Sequence, residues 1–173
     1  MLKMKSKDQG RIISNRGETS YQSNDFYFND IEKTPFEKTW QILHALVNGI
    51  YNSTWRGQLK ITNAWINING KEASNSVHNH RDSILAGCLY LQVPENSGDF
   101  YIYKNFEEEF IYHRYGQLHR DSDNNLIYPD HVASEMAYTH SAGDVTIFPA
   151  HKMHRVGENK SNTERFSVAF NCA

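Results

Sequence analysis

The sequence predicts a mainly β protein, in which short strands form a sandwich or a barrel closed on itself and one helix lies near the N-terminus. Aromatic residues make up 13% of the 173 residues, with ten Tyr and nine Phe, and aromatic residues are enriched in strands. Short apolar runs recur along the chain, and polar turns separate them. One segment near residue 40 has the apolar spacing of a helix instead. This combination is typical of a closed all-β architecture.

The helix begins with a capping signal. Thr34 is a suitable N-cap, Pro35 is favourable in the first turn, and Glu37 completes a capping box. Apolar side chains then recur at helical spacing up to about Tyr51: Trp40, Leu43, Leu46, Val47 and Ile50. We therefore expect a helix over residues 34–51 that packs its apolar face against the outside of a sheet.

Strands are expected where apolar or aromatic residues alternate between turn residues. The predicted strands cover residues 58–69, 84–93, 100–103, 136–140, 144–149 and 166–171, with a short aromatic patch at 26–28 and polar turns at 94–98 and 141–143. Residues 58–69 form one or two of these strands, in which the candidates for inward-facing residues are Leu59, Ile61, Trp65 and Ile68.

The composition divides the chain into a polar N-terminus and a single domain. Residues 1–20 are polar and are expected to be flexible, whereas residues 21–173 form the domain. Within the domain, residues 104–135 form a polar, aromatic insert with few strand signals. Loops of this length inside compact domains are often functional. We therefore expect the insert to act as a lid or a recognition loop.

Charge and cysteine usage narrow the class of protein. The net charge of −2 and the isoelectric point of about 6.5 indicate neither a nucleic acid nor an anionic membrane as partner. No apolar run approaches the roughly 20 residues of a membrane span. The polar stretch from Met1 to Gly10 predicts that there is no signal peptide. The two cysteines, Cys88 and Cys172, are expected to be free thiols, which is typical of a cytosolic protein.

The strongest chemical signal lies in residues 76–93. His78, His80 and Asp82 occupy alternate positions directly before an apolar run. Side chains two residues apart in an extended chain point the same way. His80 can therefore share a metal ion with either Asp82 or His78, and His154 supplies a ligand from a later strand. Two histidines and one carboxylate with open positions are typical of non-haem Fe(II) oxygenases.

Two ligand sets are compatible with this spacing. The preferred set is His80, Asp82 and His154, and the alternative replaces Asp82 with His78 to give an all-histidine site. His80 and His154 belong to both sets. Because the chain contains nine histidines, the argument depends on the order, spacing and strand context of the motif rather than on the tripeptide alone.

These motifs resemble those of the Fe(II)/2-oxoglutarate-dependent dioxygenase superfamily, and within it the small 2OG-Fe(II) oxygenase group similar to prolyl hydroxylases. The matching pieces, in order, are His80-Arg81-Asp82 for H-x-D, the strand AGCLYL at 86–91, GDVTIFP at 143–149, the distal His154, and Arg165-Phe166-Ser167 for R-x-S. The resemblance covers residues 64–171, apart from an unmatched insert at about 104–138.

The resemblance implies a double-stranded β-helix (jelly roll) with an N-terminal helix buttressing one sheet. It also implies Fe(II), 2-oxoglutarate and O2, used to hydroxylate a peptide, protein or small-molecule substrate with release of succinate and CO2. Arg165 is expected to bind the distal carboxylate of 2-oxoglutarate, since a guanidinium matches a carboxylate in two parallel hydrogen bonds. Ser167, on the same strand face, and Tyr90, on the opposite strand, would assist it.

Two other functions remain open at this stage. The first is a cupin-like protein that binds a metal or a small ligand without turnover, and the second is a structural jelly-roll module with surface histidines. Metal content separates the structural module from the other two, and succinate release separates the oxygenase from the cupin-like binder.

Overall fold

Two antiparallel β-sheets face each other across a polar cavity, and one helix covers the outside of the second sheet. The computed structural model describes residues 10–27, 37–55, 57–103 and 135–173. The elements in these ranges are β1 (Asn15–Arg16), β2 (Ser20–Gln22), β3 (Phe26–Tyr27), α1 (Glu37–Trp55), β4 (Ile61–Asn69), β5 (Ser74–His78), β6 (Leu85–Gln92), β7 (Phe100–Tyr103), β8 (Glu135–Tyr138), β9 (Val145–Pro149), β10 (His154–Val156) and β11 (Arg165–Cys172).

The strand order is that of a jelly roll. Sheet I has the order β1-β5-β10-β7-β8, and sheet II has the order β2-β4-β11-β6-β9, with β3 also paired to β4. The pairs are antiparallel, and neighbours in a sheet are mostly distant in sequence. The prediction of a mainly β, double-stranded β-helix fold is confirmed.

Alternate residues of sheet II face opposite sides of the sheet. In the central strand β11, Ser167 lies opposite Asn67 of β4 and Tyr90 of β6, and all three side chains line the cavity. Phe170 lies opposite Ala64 and belongs to the core on the other side. The sheet therefore separates a polar inner face from an apolar outer face.

Helix α1 packs on the apolar outer face of sheet II, as predicted for a buttressing helix. Its buried side chains Trp40, Leu43 and Val47 join a core that includes Ile61, Ala64, Leu85, Leu89 and Phe170. Burying each large apolar side chain contributes about 1.5–3 kcal/mol. Leu46 and Ile50, predicted to share the buried face, are instead 41% exposed, because only one narrow stripe of the helix meets the sheet.

The ends of the helix differ partly from the prediction. The predicted cap at residues 34–36 lies outside the described residues, and the helix continues to Trp55, past the expected end at about Tyr51. Within the described part of the chain, no helix combines the length and the apolar character that crossing a membrane requires.

The apolar strands were predicted within a few residues, but three polar strands of sheet I (β1, β5 and β10) and the short β2 of sheet II were not. β5 (Ser74–His78) has the sequence SNSVH and β10 (His154–Val156) has three residues, so neither carries an apolar pattern. The four side chains expected to face inward divide between the two sides of the sheet. Ile61 joins the core under the helix, whereas Trp65 lines the cavity. A register shift near Cys172 allows this change of face within β4.

The N-terminal segment contributes strands to both sheets from Asn15 onwards, and the flexibility expected for residues 1–20 stays a prediction. β1 pairs with β5, and β2 pairs with β4. Ser14 is buried, and its hydroxyl accepts a hydrogen bond of 3.2 Å from the Asn75 side chain at the edge of the cavity. The polar residues of this segment thus have polar, buried partners in the two sheets. Residues 1–9 lie outside the described residues.

The predicted insert also lies outside the described residues, over 104–134. The strands on either side of it are described, and they pair with each other: Tyr103 at the end of β7 lies opposite Glu135 at the start of β8. The chain therefore leaves sheet I and returns to it at neighbouring positions.

Two glycine substitutions test the packing between sheet II and the helix. A Cβ on Gly87 would overlap the ring of Phe170, which is fully buried, so Gly87→Ala is expected to lower the free energy of unfolding by about 1–3 kcal/mol. A Cβ on Gly49 in α1 would have no atom within 4 Å, so Gly49→Ala is expected to raise the free energy of unfolding by about 0.4–1 kcal/mol. Urea denaturation of both variants measures the two effects, and equal stabilities would contradict the packing described.

Candidate functional site

Three histidines meet at one end of the cavity between the sheets. His78 ends β5, His154 begins β10 directly opposite it, and His80 follows in the turn after β5. One ring nitrogen from each lies within 4.8 Å of the others, and the Nε2 atoms of His80 and His154 are 3.2 Å apart. Nitrogen atoms this close to one another can share a single metal ion.

Backbone carbonyl groups set the orientation of two of these imidazoles. Nδ1 of His78 lies 2.7 Å from the carbonyl oxygen of Ser76, and Nδ1 of His154 lies 2.9 Å from that of Lys152. A carbonyl oxygen only accepts, so each Nδ1 carries the hydrogen and each Nε2 presents a lone pair. The same arrangement orients metal-bound histidines in known sites.

Burial keeps the three imidazoles neutral. It lowers the pKa of His154 to about 3 and that of His80 to about 4, and the neighbouring imidazole of His78 lowers both further. The Asn171 side chain partly offsets the shift in the pKa of His80. The pKa of His78 is also lowered, chiefly by burial. The neutral form is the one that binds a metal.

Asp82 lies outside this histidine cluster. β5 ends at His78, and the chain turns immediately afterwards, with the His80 amide bonded to the Ala150 carbonyl and the Ser83 amide bonded to the His80 carbonyl. The alternation of an extended strand therefore stops before Asp82, whose side chain is exposed. The described structure brings His78 to His80 and His154 and does not bring Asp82 to them.

Aromatic rings enclose the histidine cluster. Trp65 stacks on His80 with ring centroids 5.7 Å apart, and Phe148 contacts His154 edge-on at 4.6 Å. The Phe100 ring lies 5.5 Å from that of His154 and 5.2 Å from that of Phe148. These rings exclude water from one side of the cluster, and a drier site strengthens every electrostatic interaction within it.

A buried arginine lies in the same cavity, further along sheet II. Arg165 is only 2% exposed, and its Nη1 donates to the carbonyl oxygens of Ser97 at 2.6 Å and Gly98 at 3.0 Å. Among the described residues, no carboxylate lies within ion-pair distance of it. Burial lowers the pKa of the guanidinium, but arginine remains protonated in proteins. A buried cation whose hydrogen-bond partners are all neutral favours an anionic ligand.

Tyr90 and Ser167 lie beside this arginine. They face each other across β6 and β11 and line the same cavity. The Tyr90 hydroxyl is buried and has no hydrogen-bond partner in the described part of the protein. Burial raises the pKa of Tyr90 well above its usual range, so the phenol is a neutral donor. An unpaired buried hydroxyl costs about 1–3 kcal/mol, which a carboxylate ligand would recover.

Tyr90→Phe separates the cost of the unpaired hydroxyl in the ligand-free protein from the contribution of that hydroxyl to ligand binding. We expect the ligand-free variant to be as stable as the wild type or up to about 1 kcal/mol more stable, since an unpaired hydroxyl is removed. Its affinity for 2-oxoglutarate should fall roughly 5- to 30-fold, the equivalent of about one lost hydrogen bond. Thermal unfolding and calorimetry measure the two quantities, and an unchanged affinity would exclude Tyr90 from the carboxylate site.

Two residues next to Tyr90 and Ser167 were not predicted from the sequence. His140 stacks on Tyr90 with centroids 4.1 Å apart, and its Nε2 lies 2.5 Å from the Thr146 hydroxyl. The buried Oδ1 of Asn67, opposite Ser167, has no hydrogen-bond partner among the described residues. The alternation of Asn67 and Asn69 with isoleucines was the available signal, because it marks one polar face of β4.

The comparisons with known proteins agree with this site. The family described as "Putative 2OG-Fe(II) oxygenase" matches residues 63–171, which is more than half of the chain. A search of curated proteins found no significant match in sequence.

Solved structures show the same fold. A non-haem α-ketoglutarate-dependent carbocyclase, SnoK from nogalamycin biosynthesis, aligns over 99% of this chain and 71% of its own, with a TM-score of 0.62 and 16% identity. A prolyl-4-hydroxylase from Pseudomonas putida aligns over 88% of this chain and 68% of its own, with a TM-score of 0.55 and 13% identity.

A third structure, an oxidoreductase of the 2OG-Fe(II) oxygenase family from Burkholderia pseudomallei, has a TM-score of 0.54 and 15% identity over 81% of this chain. The chain spans 57% of the length of that protein. With three neutral imidazoles at one end of a jelly-roll cavity, a buried arginine further along it, and a match over most of the domain, the chain belongs to the 2OG-Fe(II) oxygenase family.

Proposed function

We propose that the protein is an Fe(II)- and 2-oxoglutarate-dependent oxygenase. One observation carries the proposal: a single cavity holds three neutral imidazoles within 4.8 Å of one another and a buried guanidinium that has no carboxylate partner among the described residues. The first feature suits a divalent cation, and the second suits the distal carboxylate of a bidentate 2-oxo acid.

The proposed metal ligands are His78, His80 and His154. This set replaces the preferred set from the sequence, since Asp82 is exposed and lies outside the histidine cluster. Three imidazoles are neutral donors, so they leave the charge of the cation uncompensated. The two carboxylates of 2-oxoglutarate would balance that charge, which makes the co-substrate part of the electrostatics of the site.

Arg165, Tyr90 and Ser167 are the proposed residues for 2-oxoglutarate. Arg165 supplies the positive charge, Tyr90 supplies an unused hydroxyl donor, and Ser167 lies opposite Tyr90. When bound, Fe(II) and 2-oxoglutarate supply an O2-dependent oxidation that releases succinate and CO2. The chain holds the two cofactors, fixes the histidine tautomers through Ser76 and Lys152, and excludes water with Trp65 and Phe148.

We propose a peptide, a protein or a small molecule as the substrate. The structural relatives include a prolyl-4-hydroxylase and a carbocyclase, so they support both classes. The role of the insert in substrate recognition stays a prediction, because residues 104–134 lie outside the described part. A cytosolic location is proposed on the basis of the cysteines: both Cys88 and Cys172 are free thiols.

Anaerobic reconstitution followed by exposure to O2 tests the activity. The protein is loaded with Fe(II) and 2-oxoglutarate, and succinate is measured after O2 is admitted, without added substrate. We expect metal-dependent binding of 2-oxoglutarate and slow formation of succinate. Binding without succinate would favour the cupin-like alternative, and the absence of metal binding would favour a structural module.

A further inference from the structure

We propose that the turn at residues 94–98, between β6 and β7, positions Arg165 and selects the edge of its guanidinium that binds 2-oxoglutarate. This inference rests on the proposed function and adds a positioning element to the same site. The turn supplies backbone carbonyl groups only, through Ser97 and Gly98. It lies 67 and 68 residues from Arg165 in the chain, so the contact exists only in the folded barrel.

The hydrogen-bond count shows which edge is left for the ligand. A guanidinium has five N–H groups, and the two on Nη1 are directed at the two carbonyl oxygens of the turn. One Nε hydrogen and two Nη2 hydrogens remain, and the Nε hydrogen and one Nη2 hydrogen point the same way along one side of the planar group. That side forms the two-pronged edge that a carboxylate accepts in a bidentate contact.

Carbonyl groups orient the guanidinium without neutralising it. An aspartate or glutamate at the same place would also fix the side chain, but its charge would cancel the attraction for an incoming carboxylate. The turn therefore holds the buried guanidinium in one direction without an ion pair, and the Asp99 carboxylate, next in the chain, acts on its charge only from beyond ion-pair distance. This preorganisation lowers the cost of ordering the side chain when the ligand binds.

The turn itself is held rigidly. Gly98 has a φ of 86°, and a Cβ there would overlap the Gly157 carbonyl and lie 2.8 Å from the Glu158 oxygen. The Gly157 amide donates to the Asp99 carbonyl at 2.8 Å, and the Lys160 amide donates to Asn96 at 2.9 Å. Glycine is thus required at position 98 by both conformation and close approach. A side chain at position 98 would displace the carbonyls that hold Arg165.

Gly98→Ala tests the proposal through the distal carboxylate alone. Calorimetry with a Ni2+-loaded protein under anaerobic conditions compares 2-oxoglutarate with 2-oxopentanoate, which lacks that carboxylate. We expect roughly a 10- to 100-fold loss of affinity for 2-oxoglutarate, the equivalent of about one charge-assisted hydrogen bond. Affinity for 2-oxopentanoate and for Ni2+ should change less than about twofold, since neither ligand uses Arg165.

Gly17→Ala is the matched control. Gly17 lies in the turn between β1 and β2 and also has a positive φ, of 93°. A Cβ at this position would lie 2.9 Å from the backbone oxygen of Glu72. Gly17→Ala should destabilise the fold without selectively lowering the affinity for 2-oxoglutarate. If both variants lose affinity for both oxo acids equally, the effect is general destabilisation and the positioning role is wrong.

A milder variant and a double variant complete the test. Gly157→Ala places a Cβ 3.3 Å from the Asp99 nitrogen and 3.2 Å from the Tyr101 ring, so it should displace the same turn by a smaller amount. If Gly98→Ala does not fold, this variant is used for the comparison of the two oxo acids instead. In an Arg165→Ala background, Gly98→Ala should have no further effect on 2-oxoglutarate. If the affinity losses of the two substitutions add in the double variant, the positioning role of the turn is wrong but the proposed function stands. If the wild type does not bind 2-oxoglutarate, the proposed function itself is wrong.

Discussion

His78→Ala is expected to abolish tight binding of a divalent metal, whereas Asp82→Ala should leave it nearly unchanged. His78 presents its Nε2 to those of His80 and His154, and its orientation is fixed by the Ser76 carbonyl. Removing a residue that only hydrogen-bonds to a metal ligand typically lowers metal affinity about 10- to 100-fold. Removing the ligand itself should therefore lower metal affinity roughly 100-fold or more. Asp82 is exposed and belongs to the turn after β5.

Metal content after anaerobic loading with Fe(II), and calorimetry with Ni2+, measure this difference. His154→Ala serves as the positive control, because His154 belongs to either ligand set, and circular dichroism checks that each variant folds. If Asp82→Ala loses the metal and His78→Ala retains it, the H-x-D set preferred from the sequence is restored. In that case the turn after β5 must rearrange when the metal binds.

Arg165→Ala should weaken 2-oxoglutarate binding with little effect on the metal. Arg165 is buried, lies apart from the histidine cluster along sheet II, and has no carboxylate partner among the described residues. A bidentate charge-assisted contact in a closed site is worth about 2–4 kcal/mol, or roughly a 30- to 1000-fold change in affinity. Arg165→Lys should recover only part of the loss, since a single ammonium group cannot replace the planar fork.

Arg155→Ala is the matched control for this experiment. Arg155 follows the proposed ligand His154, but it lies over the Tyr101 ring and forms a partly exposed ion pair with Glu135. Its loss should leave the affinity for 2-oxoglutarate unchanged and cost less than about 1 kcal/mol of stability. Calorimetry on metal-loaded protein compares the three variants. Equal affinity in the wild type and Arg165→Ala would exclude Arg165 from the co-substrate site.

The fold was largely predictable because the apolar strands and the helix carry their own patterns. β6, β9 and β11 have apolar runs between turn residues, and they build the sheet that packs against α1. The strands β5 and β10 carry no such pattern, since their residues serve the polar cavity rather than a core. Their pairing depends on long-range contacts that local residue preferences do not encode.

The site was predictable as a set of candidates but not as a geometry. H-x-D and H-x-H satisfy the same alternation, and the choice between them depends on where β5 ends. That end is set by the turn in which the His80 amide bonds to the Ala150 carbonyl, a contact between distant parts of the chain. The contacts of Arg165 are similarly hidden, because backbone carbonyls in a distant turn leave no mark of their own in the residue types.

The two-sided character of β11 has a consequence for how this protein can change over evolutionary time. Arg165, Ser167 and Ala169 line the cavity, while Val168 and Phe170 pack towards the helix. Substitutions that adjust the binding of 2-oxoglutarate can arise in the first set without disturbing the residues that keep the barrel folded. Loss of a single residue within the strand would exchange the two sets at once, so we expect lineages to tolerate substitutions in β11 far more readily than deletions.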